Sequence, residues 1–466
     1  MSIRNLEYLL QPRSLAVIGA SARPHSVGAT VLANVLQGGF TGPVMAVNPK
    51  YRTLSGLEVV HRVHQLPQAP DLAVICTPPA SVPGLIGELG QLGCRAAVVI
   101  TAGLDAAQKA AMLAAARPYL LRILGPNGVG LLLPSIGLNA SFAHIAALPG
   151  KLALVSQSGA MVTGLLDWAA TRRIGFSRVV SLGDSADVDF GDLLDYLATD
   201  RETEAILLYM EDLRAARKFM SAARAAARSK PVLVVKAGRF AEGARAASSH
   251  TGALAGIDAV YDAAFRRAGM LRVLSTEELF DAVATLAGGH ALGGERLAIL
   301  TNGGGPGVLA TDALVGSGGR LAELSPATLE RLDAALPATW SHGNPVDIIG
   351  DAPGARYSQT LAALLQDEGV DAVLVLHAPT AIVPPLEAAQ AVADTARGAA
   401  RPVLACWLGG DAMEPARQAL GAAGVASYAT PEDAVSGFMQ MVQHRRAQQA
   451  LLEVPGACGE ECCGDR

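Results

Sequence analysis

Three segments of the chain share one pattern: a short run of β-branched and other apolar residues, a loop of small residues, and then a helical pattern. They are residues 14–21 (SLAVIGAS), 151–160 (KLALVSQSGA) and 296–307 (RLAILTNGGGPG). Each is typical of the first strand of a parallel α/β layer, with the next helix starting at the strand's carboxyl end. Further apolar runs alternate with helical stretches and predict repeated βαβ units. These runs are PVMAVN, DLAVIC, AAVVIT, EAILLYM, PVLVVKAG, DAVLVLH and RPVLACWLG.

Two stretches interrupt this alternation, one rich in Pro and Gly near residues 134–150 and one near residues 288–295, at GGHALGGE. They divide the chain into three α/β layers, which fits 466 residues at roughly one to two hundred residues per domain. The periodicity ends at about residue 445, and we interpret the remainder as a frayed tail without assigned chemistry. The predicted domains and tail are residues 1–135, 145–290, 295–445 and 446–466.

Composition narrows the class of protein. Lys and Arg total 37 and Asp and Glu 42, so the net charge is −5, and no basic character favours nucleic acid as a partner. Hydrophobic residues make up 51% and charged residues 17%, which is too apolar for a disordered chain. Aromatic residues are only 4%, so we expect cores built mainly from Leu, Val, Ile and Ala.

No secretory or membrane segment is expected. The first ten residues lack an apolar stretch before a cleavage site, and prolines and asparagines interrupt the longest uncharged stretch, residues 123–150. Cys76, Cys94 and Cys406 lie in apolar runs and are predicted to be core thiols. The three other cysteines, in the tail, do not have the spacing of a zinc site. A reduced, cytoplasmic protein is the resulting expectation.

The loop after the first strand departs from the dinucleotide-binding fingerprint. G-x-G-x-x-G requires a glycine where Ser21 stands, and an acidic residue at the end of the second strand. That strand is followed instead by Asn48 and Lys50. A cation there suits a phosphate on the ribose, which both NADP and coenzyme A carry. The next strand ends in residues 77–79 (TPP), a rigid loop that suits a long, thin ligand.

His250 stands among small residues, in AASSHTGA, where no amphipathic period is visible. Small residues allow a backbone to approach a ligand or to move, and a neutral imidazole can accept a phosphoryl or acyl group. An ordinary loop histidine is the alternative, and no metal-ligand spacing accompanies it. Residues 156–159 and 302–305 open helices whose N–H groups suit a phosphate. Glu211, at the end of a strand, is a candidate to hold one ring nitrogen of His250, with a first-turn helical Glu as its alternative.

Eight motifs follow one another over the three layers: VIGASARPHSVG, VNPKY, GPNGVG, LVSQSGAM, SLGDSADVDF, SSHTGALAG, LTNGGGPG and NPVDIIGD. Together they make the chain resemble the α subunits, or α portions, of the NDP-forming acyl-CoA synthetases. ADP-forming acetate–CoA ligase and, more distantly, succinyl-CoA synthetase belong to this family. The resemblance extends to about residue 445. It implies a Rossmann-like CoA-binding domain followed by two flavodoxin-like parallel α/β domains.

The resemblance also implies a reaction and its residues. Acyl-CoA, NDP and phosphate are interconverted with acid, CoA and NTP through an acyl phosphate and a phosphohistidine. It assigns the phosphohistidine to His250 and the glutamate that stabilises it to Glu211. The implied phosphate-binding residues are Ser156, Gln157, Ser158 and Gly159, with Thr163 on the substrate side. The implied CoA-binding residues are Gly19, Ala20, Ser21, Asn48, Lys50, Thr77, Pro78, Pro79, Thr101 and Asn127.

Two features depart from the family pattern. Gly128 stands where relatives often have Cys, Ser or Thr, so any role of that side chain is missing here. The sequence also contains no G-x-x-x-x-G-K-[ST] loop and no ATP-grasp domain. The resemblance therefore implies that ADP or ATP, with Mg, binds to an ATP-grasp β subunit or fused domain in a hetero-oligomer. The isolated chain is expected to bind CoA without making ATP.

Two other functions compete with catalysis. Some relatives use the same three-domain unit as a regulatory module that senses CoA or acyl-CoA in a protein acetyltransferase system, with the histidine lost. The presence of His250 and Glu211 argues against that alternative. An NADP-dependent oxidoreductase is disfavoured by Ser21 and by the lack of an acid–base pair suited to hydride transfer. The sequence leaves the acyl group open, although Thr163 and the 181–190 loop are expected to set its size.

Overall fold

The structure, a computed structural model, describes residues 3–171, 173–245, 257–287 and 292–452. The chain falls into two compact units, residues 1–272 and 273–466. Three sheets, each dominated by parallel strand pairs, organise these units, with two sheets in the first unit and one in the second.

The first sheet has strand order β3-β4-β2-β1-β5-β6-β7. Its strands are β1 (Leu15–Ile18), β2 (Val44–Val47), β3 (Thr53–Leu54), β4 (Leu57–Val60), β5 (Leu72–Ile75), β6 (Ala96–Val99) and β7 (Arg122–Leu124). Its helices are α1 (Leu6–Leu10), α2 (Val27–Gln37), α3 (Val82–Leu92) and α4 (Ala106–Ala116). All pairs are parallel except β3 with β4. Since β1 pairs with β2 on one side and β5 on the other, the strand order reverses there, which opens a crevice at the carboxyl end of β1.

The second sheet has strand order β14-β13-β12-β10-β11-β8-β9. Its strands are β8 (Gly130–Leu133), β9 (Leu138–Ser141), β10 (Pro149–Ser156), β11 (Phe176–Ser181), β12 (Ala205–Met210), β13 (Val232–Lys236) and β14 (Leu271–Val273). Its helices are α5 (Gly159–Thr171), α6 (Phe190–Thr199), α7 (Ala216–Ser229) and α8 (Asp258–Ala268). β8 and β9 pair antiparallel at one edge, so residues on both sides of position 135 contribute to this sheet.

The second unit holds one sheet of order β16-β15-β18-β19-β20, with β17 also paired to β15. Its strands are β15 (Arg296–Thr301), β16 (Arg320–Leu321), β17 (Val346–Asp347), β18 (Ala372–His377), β19 (Val403–Trp407) and β20 (Ala426–Tyr428). Its helices are α9 (Thr276–Ala287), α10 (Gly304–Gly316), α11 (Pro326–Ala335), α12 (Gly354–Gln366), α13 (Pro385–Ala396), α14 (Glu414–Ala422) and α15 (Pro431–Leu452).

The central strands are buried along their whole length. Every residue of β1, β5, β6 and β18 is buried, as expected for parallel strands covered by helices on both faces. The helices that cover them are rich in Ala and Leu, so few aromatic residues are needed. In the second unit, one core contains Trp407 and Tyr357 and the other contains Phe438 and Leu314.

The predicted α/β fold is confirmed. Each of the ten apolar runs singled out in the sequence contains a strand, and each opening run is followed by a helix. The domain boundaries stay a prediction. Across the described ranges, no helix has the length and apolar character needed to cross a bilayer. The predicted tail, residues 446–466, does not begin where the helix ends, because residues 446–452 continue α15. Residues 453–466 and the predicted phosphohistidine, His250, lie outside the described residues.

His377 ends β18 in the core of the second unit. Its Nδ1 lies 2.8 Å from the Tyr357 hydroxyl, and its ring stacks on Trp407 with centroids 5.1 Å apart. Its Nε2 has no hydrogen-bond partner among the described residues. Burial lowers the pKa of His377 from 6.5 to about 4, so the imidazole is neutral at pH 7.

The buried His377 predicts acid sensitivity of the second unit. As pH falls from 6.5 to about 4, the histidine of the unfolded chain takes up a proton while folded His377 does not. The free energy of unfolding should therefore drop by up to about 3 kcal/mol over this window, and the effect should vanish above it. Urea unfolding followed by tryptophan fluorescence at pH 4 to 7 measures this loss.

The control is the double variant Tyr357→Phe with His377→Phe, which removes the titrating ring together with the hydroxyl that it partners. Its stability should depend less on pH between 4 and 6.5 than that of the unchanged chain. Equal slopes for the two proteins would contradict the role given to His377.

Candidate functional site

A cavity of about 800 Å³ lies in the first unit. Its walls come from the loops after β5, β6, β10, β11 and β12, together with the segment that leads into β8. The carboxyl ends of strands from both sheets of this unit therefore meet at one space. Ligands of open parallel sheets bind at such ends.

The cavity gathers most of the predicted site residues. Those that line it are Thr77, Pro78, Thr101, Asn127, Gln157, Ser158, Gly159, Thr163 and Glu211. Those of the described residues that do not line it are Gly19, Ala20, Ser21, Asn48, Lys50, Pro79 and Ser156. The first group combines predicted CoA-binding, phosphate-binding and catalytic positions from both sheets.

The predicted CoA-binding residues that lie outside the cavity follow the carboxyl edge of the first sheet. Gly19 has φ +90°, and a Cβ there would lie 2.9 Å from Thr77 Cγ2. The Asn48 amide donates to Ala20 O (2.7 Å) and accepts from the Lys50 N–H (2.9 Å). Asn48 thus holds the loops after β1 and β2 together. This edge leads into the cavity wall at Thr77.

The start of α5 forms one wall of the cavity. Ser158 Oγ accepts from the Met161 N–H at 3.3 Å, the arrangement of a helix N-cap. A Cβ at Gly159 would lie 2.6 Å from Val129 Cγ2, so only glycine allows this close approach. Ser156, in contrast, is buried, and its hydroxyl bonds to the Ser158 backbone. The N–H groups at the start of α5 that precede Met161, rather than the Ser156 hydroxyl, therefore suit an anion.

Gln157 ties this wall to the loop after β12. Its Oε1 accepts from the backbone N–H groups of Glu211 (2.6 Å) and Asp212 (3.0 Å). The backbone N–H of Gln157 donates to Tyr209 O at 3.1 Å. With Oε1 accepting both bonds, the amide NH₂ of Gln157 is the only part of its side chain left to meet a ligand. Gln157, which is predicted to bind phosphate, thus also fixes the loop that carries Glu211 and Asp212.

Acidic and basic groups cluster around the Glu211 loop. Asp212 Oδ2 lies 3.5 Å from Arg214 Nε. Lys236, at the end of β13, is buried, with Nζ 4.6 Å from the centre of the Tyr261 ring. Burial lowers the pKa of Lys236, and nearby carboxylates, including Asp212, oppose that shift. Burial, followed by the charge of Glu211, raises the pKa of the Tyr209 hydroxyl.

Several lining residues were missed by the sequence analysis. Asp184 accepts from Asn127 Nδ2 (3.1 Å) and pairs with Lys109 (2.5 Å), which links α4 to the loop after β11. Asp184 falls in the 181–190 loop, which was expected to set the size of the acyl group, but it was not singled out as a site residue. Cys76, predicted as a core thiol, lines the cavity, and burial raises its pKa to about 12, so it stays a thiol. Arg214 also lines the cavity, and no sequence signal pointed to it.

The chain matches three family models in succession. They are a CoA binding domain at residues 13–134, a succinyl-CoA ligase like flavodoxin domain at 149–286 and a Ligase-CoA domain at 297–451. The α subunit of acetate–CoA ligase [ADP-forming] I of Pyrococcus furiosus is 38% identical over 93% of this chain and 96% of its own length. The chain belongs to the family of ADP-forming acetate–CoA ligases. The resemblance that the motifs indicated is confirmed.

A solved structure agrees with this assignment. The dinucleotide forming acetyl-coenzyme A synthetase 1 of Ca. Korarchaeum cryptofilum, in complex with phosphate and ADP, superposes with a TM-score of 0.92 at 37% identity. The match covers 97% of this chain and 99% of that one. Acetate–CoA ligase [ADP-forming] I of Archaeoglobus fulgidus is 41% identical over 92% of this chain. The chain spans 62% of the length of that relative.

The hydrogen bonds of Gln157 predict the effect of removing its amide. Gln157→Leu leaves the partly buried N–H groups of Glu211 and Asp212 without this acceptor. The free energy of unfolding should fall by about 1–3 kcal/mol, the cost of leaving such groups unsatisfied. Urea unfolding of the chain measures it.

Gln91→Leu is the matched control, since Gln91 is exposed on α3 and its replacement should change stability by less than about 0.5 kcal/mol. If both variants unfold alike, Gln157 does not fix the loop.

Proposed function

We propose that the chain is the α component of an ADP-forming acyl-CoA synthetase. It interconverts acyl-CoA, ADP and phosphate with acid, CoA and ATP when an ATP-grasp component is present. The observation that carries this proposal is the shared cavity. Predicted CoA-binding residues (Thr77, Pro78), the start of α5 and Glu211 line the same space.

CoA is proposed to bind along the carboxyl edge of the first sheet. Lys50 would face the 3′-phosphate of the ribose, since this exposed cation follows β2 and no acidic residue takes its place. Gly19 lets the loop after β1 pass close to Thr77, and its lack of a side chain would let the backbone approach the ligand. Thr77 and Pro78 would guide the pantetheine arm toward the cavity, where the thioester would lie.

The first chemical step is the attack of phosphate on the thioester. A phosphate oxygen forms a bond to the acyl carbon, the carbon–sulfur bond breaks, and CoA leaves as the thiolate. Phosphate would be held by the N–H groups at the start of α5, where the helix dipole also favours an anion. The products are an acyl phosphate and free CoA.

The second step transfers the phosphoryl group to His250. A ring nitrogen attacks phosphorus, the bond between phosphorus and the acyl oxygen breaks, and the acid leaves as its carboxylate. Glu211 would hold the other ring nitrogen, which orients the ring and stabilises its positive charge. His250 follows β13 in sequence, and the end of β13 lies beside that of β12, which precedes Glu211.

The last step passes the phosphoryl group to ADP on an ATP-grasp β subunit or fused domain that also binds Mg. Two findings support a separate nucleotide component. The matched domains are named for CoA and ligase functions, and the Archaeoglobus relative carries further sequence beyond the part that this chain spans. We infer a hetero-oligomer or a fused arrangement, located in the cytoplasm.

Phosphorylation from the nucleotide side tests this function. The chain is mixed with the ATP-grasp component of a related synthetase and ATP labelled in its γ-phosphate. Acid-labile label should appear on the chain and require the added component. Glu211→Gln should slow labelling by at least about tenfold, the scale of losing a group that orients a catalytic histidine.

His250→Ala should abolish the label. His144→Ala is the matched control, because it removes an exposed histidine of the same unit and should label normally. Label retained on the His250→Ala chain would reject the phosphohistidine mechanism.

A further inference from the structure

The charged groups that line the cavity are mostly acidic. Among the described lining residues, Asp184, Glu211 and Asp212 carry carboxylates, and Arg214 carries the one positive side chain. A phosphate or acyl phosphate that enters this space brings about two further negative charges. Without a cation, three carboxylates would repel it.

The start of α5 does not offset this repulsion alone. A helix N-terminus acts as about half a positive charge. Asp184 pairs with Lys109, so its charge is partly balanced, but Lys109 does not line the cavity. Lys236 is buried and does not line it either. Among the described residues that line the cavity, the guanidinium of Arg214 is therefore the one side-chain cation available to an anion.

Neighbouring residues orient Arg214. Gln157 fixes the backbone at Glu211 and Asp212, which precede Arg214 by three and two residues. The Asp212 carboxylate, whose side chain is only 15% exposed, lies 3.5 Å from Arg214 Nε. That contact engages the Nε side of the guanidinium, and the two Nη groups retain four N–H bonds. The fork of an arginine matches two oxygens of a phosphate.

We propose that Arg214 binds inorganic phosphate, and then the phosphoryl group of the acyl phosphate, in the cavity. Asp212 is its positioning residue. This inference rests on the proposed function and adds to it the side chain that holds the phosphate. Because the side chain of Arg214 is 57% exposed, its replacement should leave folding intact.

The test measures ATP formation from acyl-CoA, ADP and phosphate by the chain with its ATP-grasp component, using a panel of acyl-CoAs. Arg214→Gln should raise the KM for phosphate about ten- to hundredfold, the range for loss of a charge-assisted, two-point contact. The KM for acyl-CoA should change by less than about twofold. Arg214→Lys should give an intermediate KM for phosphate, because it keeps the charge and loses the fork.

Arg217→Gln is the matched control, since Arg217 is an exposed arginine of α7 that does not line the cavity. It removes the same charge three residues away and should leave both KM values unchanged. An active wild-type enzyme whose KM for phosphate is unaffected by Arg214→Gln would overturn this inference alone. A wild-type enzyme that makes no ATP from any acyl-CoA would overturn the proposed function and the inference with it.

Discussion

The two hydrogen bonds accepted by the Gln157 amide oxygen hold the site together. They join the start of α5 to the backbone of Glu211 and Asp212, and a third bond, from the backbone N–H of Gln157 to Tyr209 O, joins it to the end of β12. The helix that would receive phosphate and the carboxylate that would stabilise the phosphohistidine are thus one rigid piece. This joined segment also sets the position of Arg214 and forms part of the cavity wall.

The charge balance of this piece suits its proposed chemistry. Backbone N–H groups at a helix start carry partial charges, and a single guanidinium adds one full charge. In this account they bind phosphate without cancelling its charge, so an oxygen remains nucleophilic toward the thioester. The carboxylate of Glu211, in turn, favours a histidine that becomes positively charged when it takes the phosphoryl group.

The fold could be predicted from sequence because buried parallel strands read as short, continuous apolar runs, and each run found contains a strand. Nine of the predicted site residues line one cavity, since the carboxyl ends of parallel strands meet, and their roles stay a prediction. Orientation within a loop could not be predicted. Ser156 and Ser158 lie two residues apart in one motif, yet the first is buried against the backbone and the second caps α5. Arg214 was missed because only the folded loop shows that it faces the cavity.

The central claim is that one cavity of this chain brings thioester and phosphate together. It is tested most directly by mixing the chain alone, without nucleotide or partner, with labelled inorganic phosphate and each of a panel of acyl-CoAs. At least one acyl-CoA should place acid-labile label on the wild-type chain, with release of free CoA and no label on the His250→Ala chain. Absence of label with every acyl-CoA, from a chain that makes ATP once the ATP-grasp component is added, would contradict the claim.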